Sequence, residues 1–138
     1  MKKRVKIEKF CGLEWVTITG VPCRDTKFGN AIASRTLQMI EVKVARYIVE
    51  NRVPIRGAEV KYLRKTFGFT LDKLGTELGF SSTAIFKWEK ARDRQLERVN
   101  EVAMRVWAAE KLGIDIPARF SGLFALESQP TAVNLKAA

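Results

Sequence analysis

The chain has 138 residues, which fits one modest domain with a small additional module. Lysine and arginine outnumber aspartate and glutamate by 25 to 15, and this excess is spread from Lys2 to Arg119, which favours a polyanion over an acidic small molecule as partner. Histidine is absent, so the usual general base and the commonest metal ligand are missing, and hydrolytic or zinc chemistry is disfavoured.

The two cysteines do not form a metal-binding pattern. Cys11 and Cys23 belong to no CxxC pair and have no histidine nearby, so one chain cannot assemble a four-ligand zinc site from them. Lys2, Lys3 and Arg4 are followed by alternating residues, unlike a secretory signal. No apolar run approaches the roughly 20 residues that cross a bilayer. We expect reduced thiols in a cytoplasmic protein without a membrane segment, metal or cofactor.

The first 33 residues have the period-two alternation of β-strands. Residues 5–8 and 15–18 alternate in this way and are rich in β-branched side chains. Pro22 and residues 27–30 are typical of turns or loops. Residues 1–33 are therefore predicted to form a small β-hairpin module, held together by apolar contacts around Trp15, Val16 and Ile18.

Residues 34–53 are predicted to be an amphipathic helix followed by a linker. Ser34 is a suitable N-cap, and the helix is expected to end before Val53-Pro54, because proline disfavours helical geometry in the residue before it. The apolar residues at helical spacing are Leu37, Ile40, Val44 and Ile48.

Three further helices are predicted between residues 57 and 90. The first spans about Gly57 to Phe67 and ends at Gly68, which supplies a left-handed turn residue. Thr70 and Ser81 are predicted N-caps of the next two, each preceded by a phenylalanine that can pack on the fourth helical residue. Gly79 is predicted to form the turn between them, and Gly75 to lie where they approach closely. The shared core is predicted to contain Leu74, Leu78, Ile85 and Trp88.

This arrangement leaves the first turns of the last of these helices facing outward, as in a helix-turn-helix that contacts base edges. Ser82 and Thr83 can hydrogen-bond bases, Lys87 can donate to guanine, and Phe86 can pack on a thymine methyl. Backbone N–H groups at Leu71 and Asp72 suit a phosphate, as helix N-termini do. For the basic residues a solvated helix face is the alternative. The predicted DNA-binding residues are Thr70, Leu71, Lys73, Ser81, Ser82, Thr83, Phe86, Lys87, Lys90, Arg92 and Arg94.

The C-terminal part is predicted to contain one more helix and a tail. An apolar helical stripe ends near Gly113 and is expected to cover the core of its own domain or to form a dimer seam; it comprises Leu96, Val99, Ala103 and Val106. Pro117 ends this pattern. A second apolar patch, expected to dock on its own domain or on a partner, comprises Phe120, Leu123, Phe124 and Leu126. Ser128 to Ala138 are expected to be frayed.

The run from Leu63 to Glu89, LRKTFGFTLDKLGTELGFSSTAIFKWE, resembles the Cro/C1-type (XRE) helix-turn-helix family. The resemblance implies a five-helix domain, dimeric operator binding and an ion pair between Arg64 and Glu89. Leu71 departs from the family, which often has a phosphate-binding glutamine there. From about Trp15 to Ile116 the order of parts is similar to MqsA/HigA-like type II antitoxins. Those relatives have a CxxCG zinc knuckle where this chain has CRDTKFGN with one cysteine, so the zinc site is predicted to have been lost.

Together these patterns predict a mainly α, α+β protein. Its parts are a β module at 1–33, an amphipathic helix and linker at 34–53, a five-helix helix-turn-helix domain at 54–116 and a tail at 117–138. The expected function is a homodimeric repressor that binds a palindromic operator in double-stranded DNA, and the resemblance implies an autoregulating antitoxin with a cognate toxin. The alternatives are a stand-alone XRE-type repressor and a toxin-binding interaction module with weak DNA binding. No catalytic residue is predicted, because no motif for chemistry is present.

Overall fold

A computed structural model describes residues 3–116, 119–126 and 128–137, apart from the side chain of Phe120. Its strands are β1 (Lys3–Glu8), β2 (Val16–Thr26), β3 (Gly29–Ala31) and β4 (Val133–Lys136), and its helices are α1 (Ser34–Glu50), α2 (Gly57–Thr66), α3 (Leu71–Leu78), α4 (Ser82–Lys90) and α5 (Arg98–Leu112). The described residues up to Val44 and from Pro130 onward form one compact unit, and Ala45 to Gln129 form a second. The expected α+β class is confirmed.

The first unit is built around β2. Antiparallel β1 pairs along it, with Lys3 opposite Cys23 and Glu8 opposite Thr17. Its end pairs with β3 in an antiparallel hairpin, and its beginning pairs with β4 in parallel. The predicted strands around residues 5–8 and 16–18 are therefore present and paired, whereas the turn predicted at 27–30 comprises only residues 27–28, because Gly29 and Asn30 lie in β3. The core beneath β2 includes the buried side chains of Trp15, Val16 and Ile18.

Two expectations for this unit were wrong. Pro22 lies within β2, opposite Arg4, and not in a turn. Proline lacks the N–H that pairing with a second neighbouring strand would need. Because β2 pairs with β4 only as far as Thr19 and with β3 only from Arg24, one edge of β2 is open at Pro22 and the missing N–H is tolerated there.

The second error concerns the stretch expected to be frayed. Its residues 133–136 form β4, in which Val133 N–H donates to the Trp15 carbonyl (2.8 Å). Just beyond the strand, Ala137 N–H donates to the Thr19 carbonyl (3.0 Å). β4 forms because the open edge of β2 offers it unpaired backbone groups. The polarity of residues 128–138 does not reveal this pairing, because its partner lies more than a hundred residues earlier in the chain.

The second unit contains the end of α1 and helices α2 to α5. Only four described helices, α2 to α5, lie between residues 54 and 116, so the expectation of five in that range was wrong. The end of α1, from Ala45 to Glu50, supplies the remaining helical segment of this unit. Within the described parts of the chain, no helix has the length and apolar character needed to cross a membrane.

Helix α5 ends at Gly113, which has φ 69°, as the sequence predicts, but it buries a different face from the one expected. Val99 is 72% exposed, whereas Val102, Met104 and Ala108 are buried. Leu96 precedes the helix, and the buried face of the helix includes the charged residues Glu101 and Arg105. Hydropathy alone cannot identify such a face.

Arg105 is 1% exposed and connects several segments of the second unit. Its guanidinium lies 3.6 Å from the Glu101 carboxylate, and that carboxylate accepts hydrogen bonds from Ile55 N–H (2.8 Å) and from the Gln95 side chain (3.0 Å). Burial lowers the pKa of Arg105, and Glu101 opposes this effect. The guanidinium also donates to the carbonyls of Leu123 (2.9 Å), Ile48 (3.2 Å) and Val53 (3.1 Å).

Part of the apolar patch after α5 docks on its own unit, which was one of the two predicted alternatives, whereas Leu126 remains 48% exposed. Leu123 is buried, and the Arg98 guanidinium lies 4.2 Å from the centre of the Phe124 ring. Leu126 N–H donates to the Arg52 carbonyl (2.9 Å). The predicted contribution of the Phe120 side chain and the predicted stop at Pro117 fall outside the described residues.

Candidate nucleic-acid interface

The connection between α3 and α4 is fixed by local hydrogen bonds that the sequence predicts. Thr70 Oγ1 accepts from Lys73 N–H (3.1 Å), and Ser81 Oγ accepts from Ala84 N–H (3.1 Å), so both N-caps are confirmed. Gly79 has φ 80° and ends α3 in the left-handed conformation. The two helices are thus joined by three residues only, which leaves little freedom in their relative orientation.

Close packing at Gly75 brings α3 against the chain entering α4. A Cβ at this position would lie 2.4 Å from the Phe80 carbonyl oxygen, so only glycine fits, as predicted. Leu74 and Ile85 are fully buried, while Leu78 and Trp88 are half-buried. The Phe80 ring meets the Trp88 ring edge-to-face with centroids 4.9 Å apart.

An ion pair ties α2 to α4. Arg64 Nε and Nη2 donate to the two Glu89 carboxylate oxygens at 2.7 and 2.8 Å, and Arg64 Nη1 donates to the Phe69 carbonyl (3.0 Å). The hydrogen bonds to Glu89 raise the pKa of Arg64 above its ordinary value, although burial opposes this. A planar contact with two hydrogen bonds fixes the relative orientation of the guanidinium and the carboxylate, so the C-terminal end of α4 is held against α2.

The start of α2 provides a second support for α4. A Cβ at Gly57 would lie 2.0 Å from the Trp88 carbonyl oxygen, so these backbones meet directly. Gly57 N–H donates to the Arg94 carbonyl (3.2 Å) and Ala58 N–H to the Arg92 carbonyl (3.0 Å). The loop after α4 therefore accepts hydrogen bonds from two N–H groups at the N-terminus of α2, and these bonds also fix the backbone of the loop.

A third support joins α3 to α5, and no sequence pattern predicts it. Glu77 accepts a hydrogen bond from the Trp107 indole N–H (2.7 Å) and lies 3.2 Å from Lys111. Phe67 and Phe69 pack edge-to-face on the same indole, with centroid distances of 5.5 and 5.1 Å. These contacts hold α3 in place through residues that lie about thirty positions apart in the chain.

The outward side of α4 is formed by residues at helical spacing: Thr83, Phe86, Lys87 and Lys90. All four are exposed, and Phe86 is 52% exposed although it is a large apolar side chain. Ser82, grouped with them by the sequence, is half-buried and lies at the margin of this surface. We call these four residues the α4 face.

The remaining predicted site residues lie at the start of α3, at the N-cap of α4 and in the loop after α4. The side chains of Thr70, Lys73, Ser81, Arg92 and Arg94 are exposed, and Leu71 is half-buried. Because the hydroxyl oxygens of Thr70 and Ser81 already accept from their own helices, their hydroxyl protons remain to donate to an anion. Asp93 lies 3.2 Å from Arg92 and weakens the positive charge there.

A groove beside the end of α4 contains residues that the sequence patterns do not single out. It has a volume of about 330 Å³, and among its lining residues are Lys87, Arg94, Gln95 and Asn100. Asn100 stands in the first turn of α5, and its place near Lys87 follows only from the fold of the loop between the helices. No spacing rule would have brought these polar groups together.

Within the described residues, no three histidine, cysteine, aspartate or glutamate side chains are grouped so that they could hold a metal ion. Both cysteines have free thiols; Cys11 is exposed and Cys23 is buried.

Comparison with known proteins gives no match. No protein-family model matches the chain. No curated protein and no solved structure matches it either. The interpretation of the α4 face therefore depends on its own residues and on how they are held.

Proposed function

We propose that this protein is a sequence-specific DNA-binding regulator that reads the duplex with the α4 face. The observation that supports this most is an exposed helix side carrying hydrogen-bonding, apolar and cationic groups on a helix that is held by α3 and, at two places, by α2. An α-helix fits the major groove, where each base pair presents a distinct pattern of donors, acceptors and methyl groups.

Each residue of the α4 face has a chemical role in this proposal. Thr83 hydrogen-bonds a base edge, Lys87 donates to guanine O6 and N7, and Phe86 packs on a thymine methyl. Lys90 extends the same side by one turn toward the phosphates. The exposed phenylalanine supplies the apolar group that contact with a thymine methyl requires.

The surrounding residues set the position of the helix on the backbone. Lys73, Arg92 and Arg94 neutralise phosphates, and the hydroxyls of Thr70 and Ser81 donate to phosphate oxygens. The first N–H groups of α3 add a partial positive charge at the same place. These contacts contribute affinity without sequence preference, whereas the α4 face contributes the preference.

One α4 face can read only a few base pairs, each worth about 1–3 kcal/mol of discrimination. Two copies on a two-fold symmetric site would double this, so we propose a homodimer on a palindromic operator that represses by occupying it. The narrower expectation of an antitoxin depends on the sequence resemblance alone, and for that reason the broader function is proposed.

The test begins with duplexes that the full-length protein selects from a random-sequence pool. Lys87→Ala should weaken binding to the selected duplex by roughly 5- to 100-fold and relax one base-pair position. Arg92→Ala should weaken selected and scrambled duplexes alike and reduce the slope of log affinity against log salt by about 1.

Lys61→Ala is the matched control, because Lys61 is an exposed lysine of α2 outside the proposed interface. Affinity in this variant should stay close to that of the unaltered protein. If the selected sequences share no motif, or if Lys87→Ala and Lys61→Ala behave alike, the proposed reading face is wrong.

A further inference from the structure

The hairpin formed by the end of β2 and by β3 stands away from the core of the first unit. All eight residues from Arg24 to Ala31 are exposed, although the strands keep regular pairing with Thr26 opposite Gly29. We call residues 24–31 the β-arm. An isolated two-stranded hairpin is marginal in water, so a paired hairpin whose residues all stay exposed suggests a use for the surface at its tip.

The tip of the β-arm holds a large apolar side chain in water. Phe28 is 89% exposed, the highest value among the described large hydrophobic residues. A phenylalanine side chain that stays in water contributes no apolar burial to folding, so folding does not account for its place at a hairpin tip.

Local hydrogen bonds hold this phenylalanine in place. Phe28 N–H donates to Thr26 Oγ1 (3.2 Å), and the same hydroxyl donates to the Gly29 carbonyl (2.7 Å). Gly29 has φ 110°, which side-chain-bearing residues rarely adopt. The Lys27 ammonium lies 5.1 Å from the centre of the Phe28 ring. The ring is thus presented by a defined turn with a cation beside it.

Charge identifies the kind of partner. The first unit, as residues 1–44 and 130–138, has ten lysines and arginines and four acidic residues, so it carries +6 of the total charge of +10. The second unit, with 15 basic and 11 acidic residues, carries only +4 although it contains the α4 face. In the β-arm, Arg24 and Lys27 are exposed, while Asp25 is paired with Lys3 (3.4 Å).

We propose that the β-arm is a second DNA contact, in which Phe28 wedges between base pairs from the minor groove while Lys27 and Arg24 lie against the flanking phosphates. Apolar wedges of this kind unstack one base step and kink the duplex by about 20–90°. A minor groove admits a single ring at a tip more easily than a helix. This inference rests on the proposed DNA-binding function, but it assigns the contact to a different unit and to a different groove.

Two substitutions test the wedge with the full-length protein and a duplex that it has selected from a random pool. Phe28→Ala should weaken binding by about tenfold and abolish the kink, measured by energy transfer between dyes on the two duplex ends. Met39→Ala is the matched control, since Met39 is an exposed apolar residue on α1 of the same unit. It should leave affinity and bend unchanged.

Charge substitutions test the phosphate contacts. Arg24→Gln and Lys27→Gln should each reduce the slope of log affinity against log salt by about 1, because each removes one phosphate contact. Arg35→Gln removes the same charge from an exposed position on α1 and should change the slope much less.

The outcomes separate this inference from the proposed function. A selected duplex that stays straight in the complex, or equal effects of Phe28→Ala and Met39→Ala, would refute the β-arm contact while leaving the α4 face intact. Failure of the unaltered protein to bind any duplex would refute both. Loss of the kink with retained sequence preference in Phe28→Ala would support the assignment, because it separates bending from base reading.

Discussion

A substitution of Arg105 should lower the stability of the second unit strongly, because this side chain joins several of its segments. It is 1% exposed, its guanidinium donates to three backbone carbonyls, and it lies 3.6 Å from Glu101. We predict that Arg105→Met, which keeps an unbranched side chain in place of the aliphatic stem but removes the guanidinium, lowers the free energy of unfolding by about 3–5 kcal/mol.

The magnitude follows from what remains after the substitution. The Leu123 carbonyl loses a 2.9 Å hydrogen bond and the Val53 carbonyl a 3.1 Å one, each worth about 1–3 kcal/mol if it stays unsatisfied. The Ile48 carbonyl loses less, because it still accepts from Val53 N–H (3.1 Å). The buried Glu101 charge is left without its guanidinium, and methionine returns roughly 1–2 kcal/mol through apolar burial.

Urea unfolding followed by circular dichroism measures the effect. With a slope of about 1–3 kcal/mol per molar urea, the midpoint should fall by roughly 2 M. Adding Glu101→Gln to Arg105→Met should recover part of the loss, because the uncompensated buried charge is removed. Arg35→Met, at an exposed site, should stay within about 0.5 kcal/mol. A loss below about 1 kcal/mol in Arg105→Met, or a double variant less stable than the single one, would refute the reasoning.

Three other predictions follow from backbone contacts and thiol environments. Gly57→Ala should lower the free energy of unfolding in urea by about 3 kcal/mol or more, since its Cβ would lie 2.0 Å from the Trp88 carbonyl oxygen. Gly68→Ala should lower it by only about 1 kcal/mol, because its φ of 73° is the sole obstacle to a side chain. Equal losses in the two variants would contradict the close approach of α2 and α4 at Gly57. Partial desolvation of the Cys11 thiol, with a smaller effect of Glu41, raises its pKa, so the midpoint of its iodoacetamide alkylation rate against pH should lie higher in the native protein than in urea. Cys23 should react only on unfolding, and a native Cys11 midpoint at or below the urea value would contradict this prediction. Ending the chain at Ala132 removes β4 and should speed amide hydrogen exchange in residues 15–19, measured by mass spectrometry, with residues 71–90 unchanged as the internal control.

Local features of the candidate site were predictable because each is set by residues adjacent in sequence. The caps at Thr70 and Ser81 and the turn at Gly79 depend on one side chain and a few neighbouring backbone groups, and all three are confirmed. The close approach at Gly75 is also confirmed, because a tight helix crossing requires a residue without a side chain at the point of contact.

Features that depend on distant segments were not predictable. The buried face of α5 contains Glu101 and Arg105, which hydropathy assigns to water, and their burial is possible only because partners arrive from α1, the linker and the segment near Leu123. The strand β4 could not be recognised from the sequence either. Residues 133–136 become a strand only by pairing with an open edge of β2, more than a hundred residues earlier in the chain.

The pairing of β4 with β2 also constrains the order of folding during synthesis. A ribosome releases Val16 to Thr19 early and Val133 to Lys136 about a hundred residues later, so the nascent sheet keeps an open edge while the second unit emerges. Residues 45–129, whose described part forms the second compact unit, have all been synthesised before that moment, so this unit can fold first. An unpaired strand edge on a growing polypeptide can pair with other chains, so this risk persists until residues 133–136 have emerged and paired with β2.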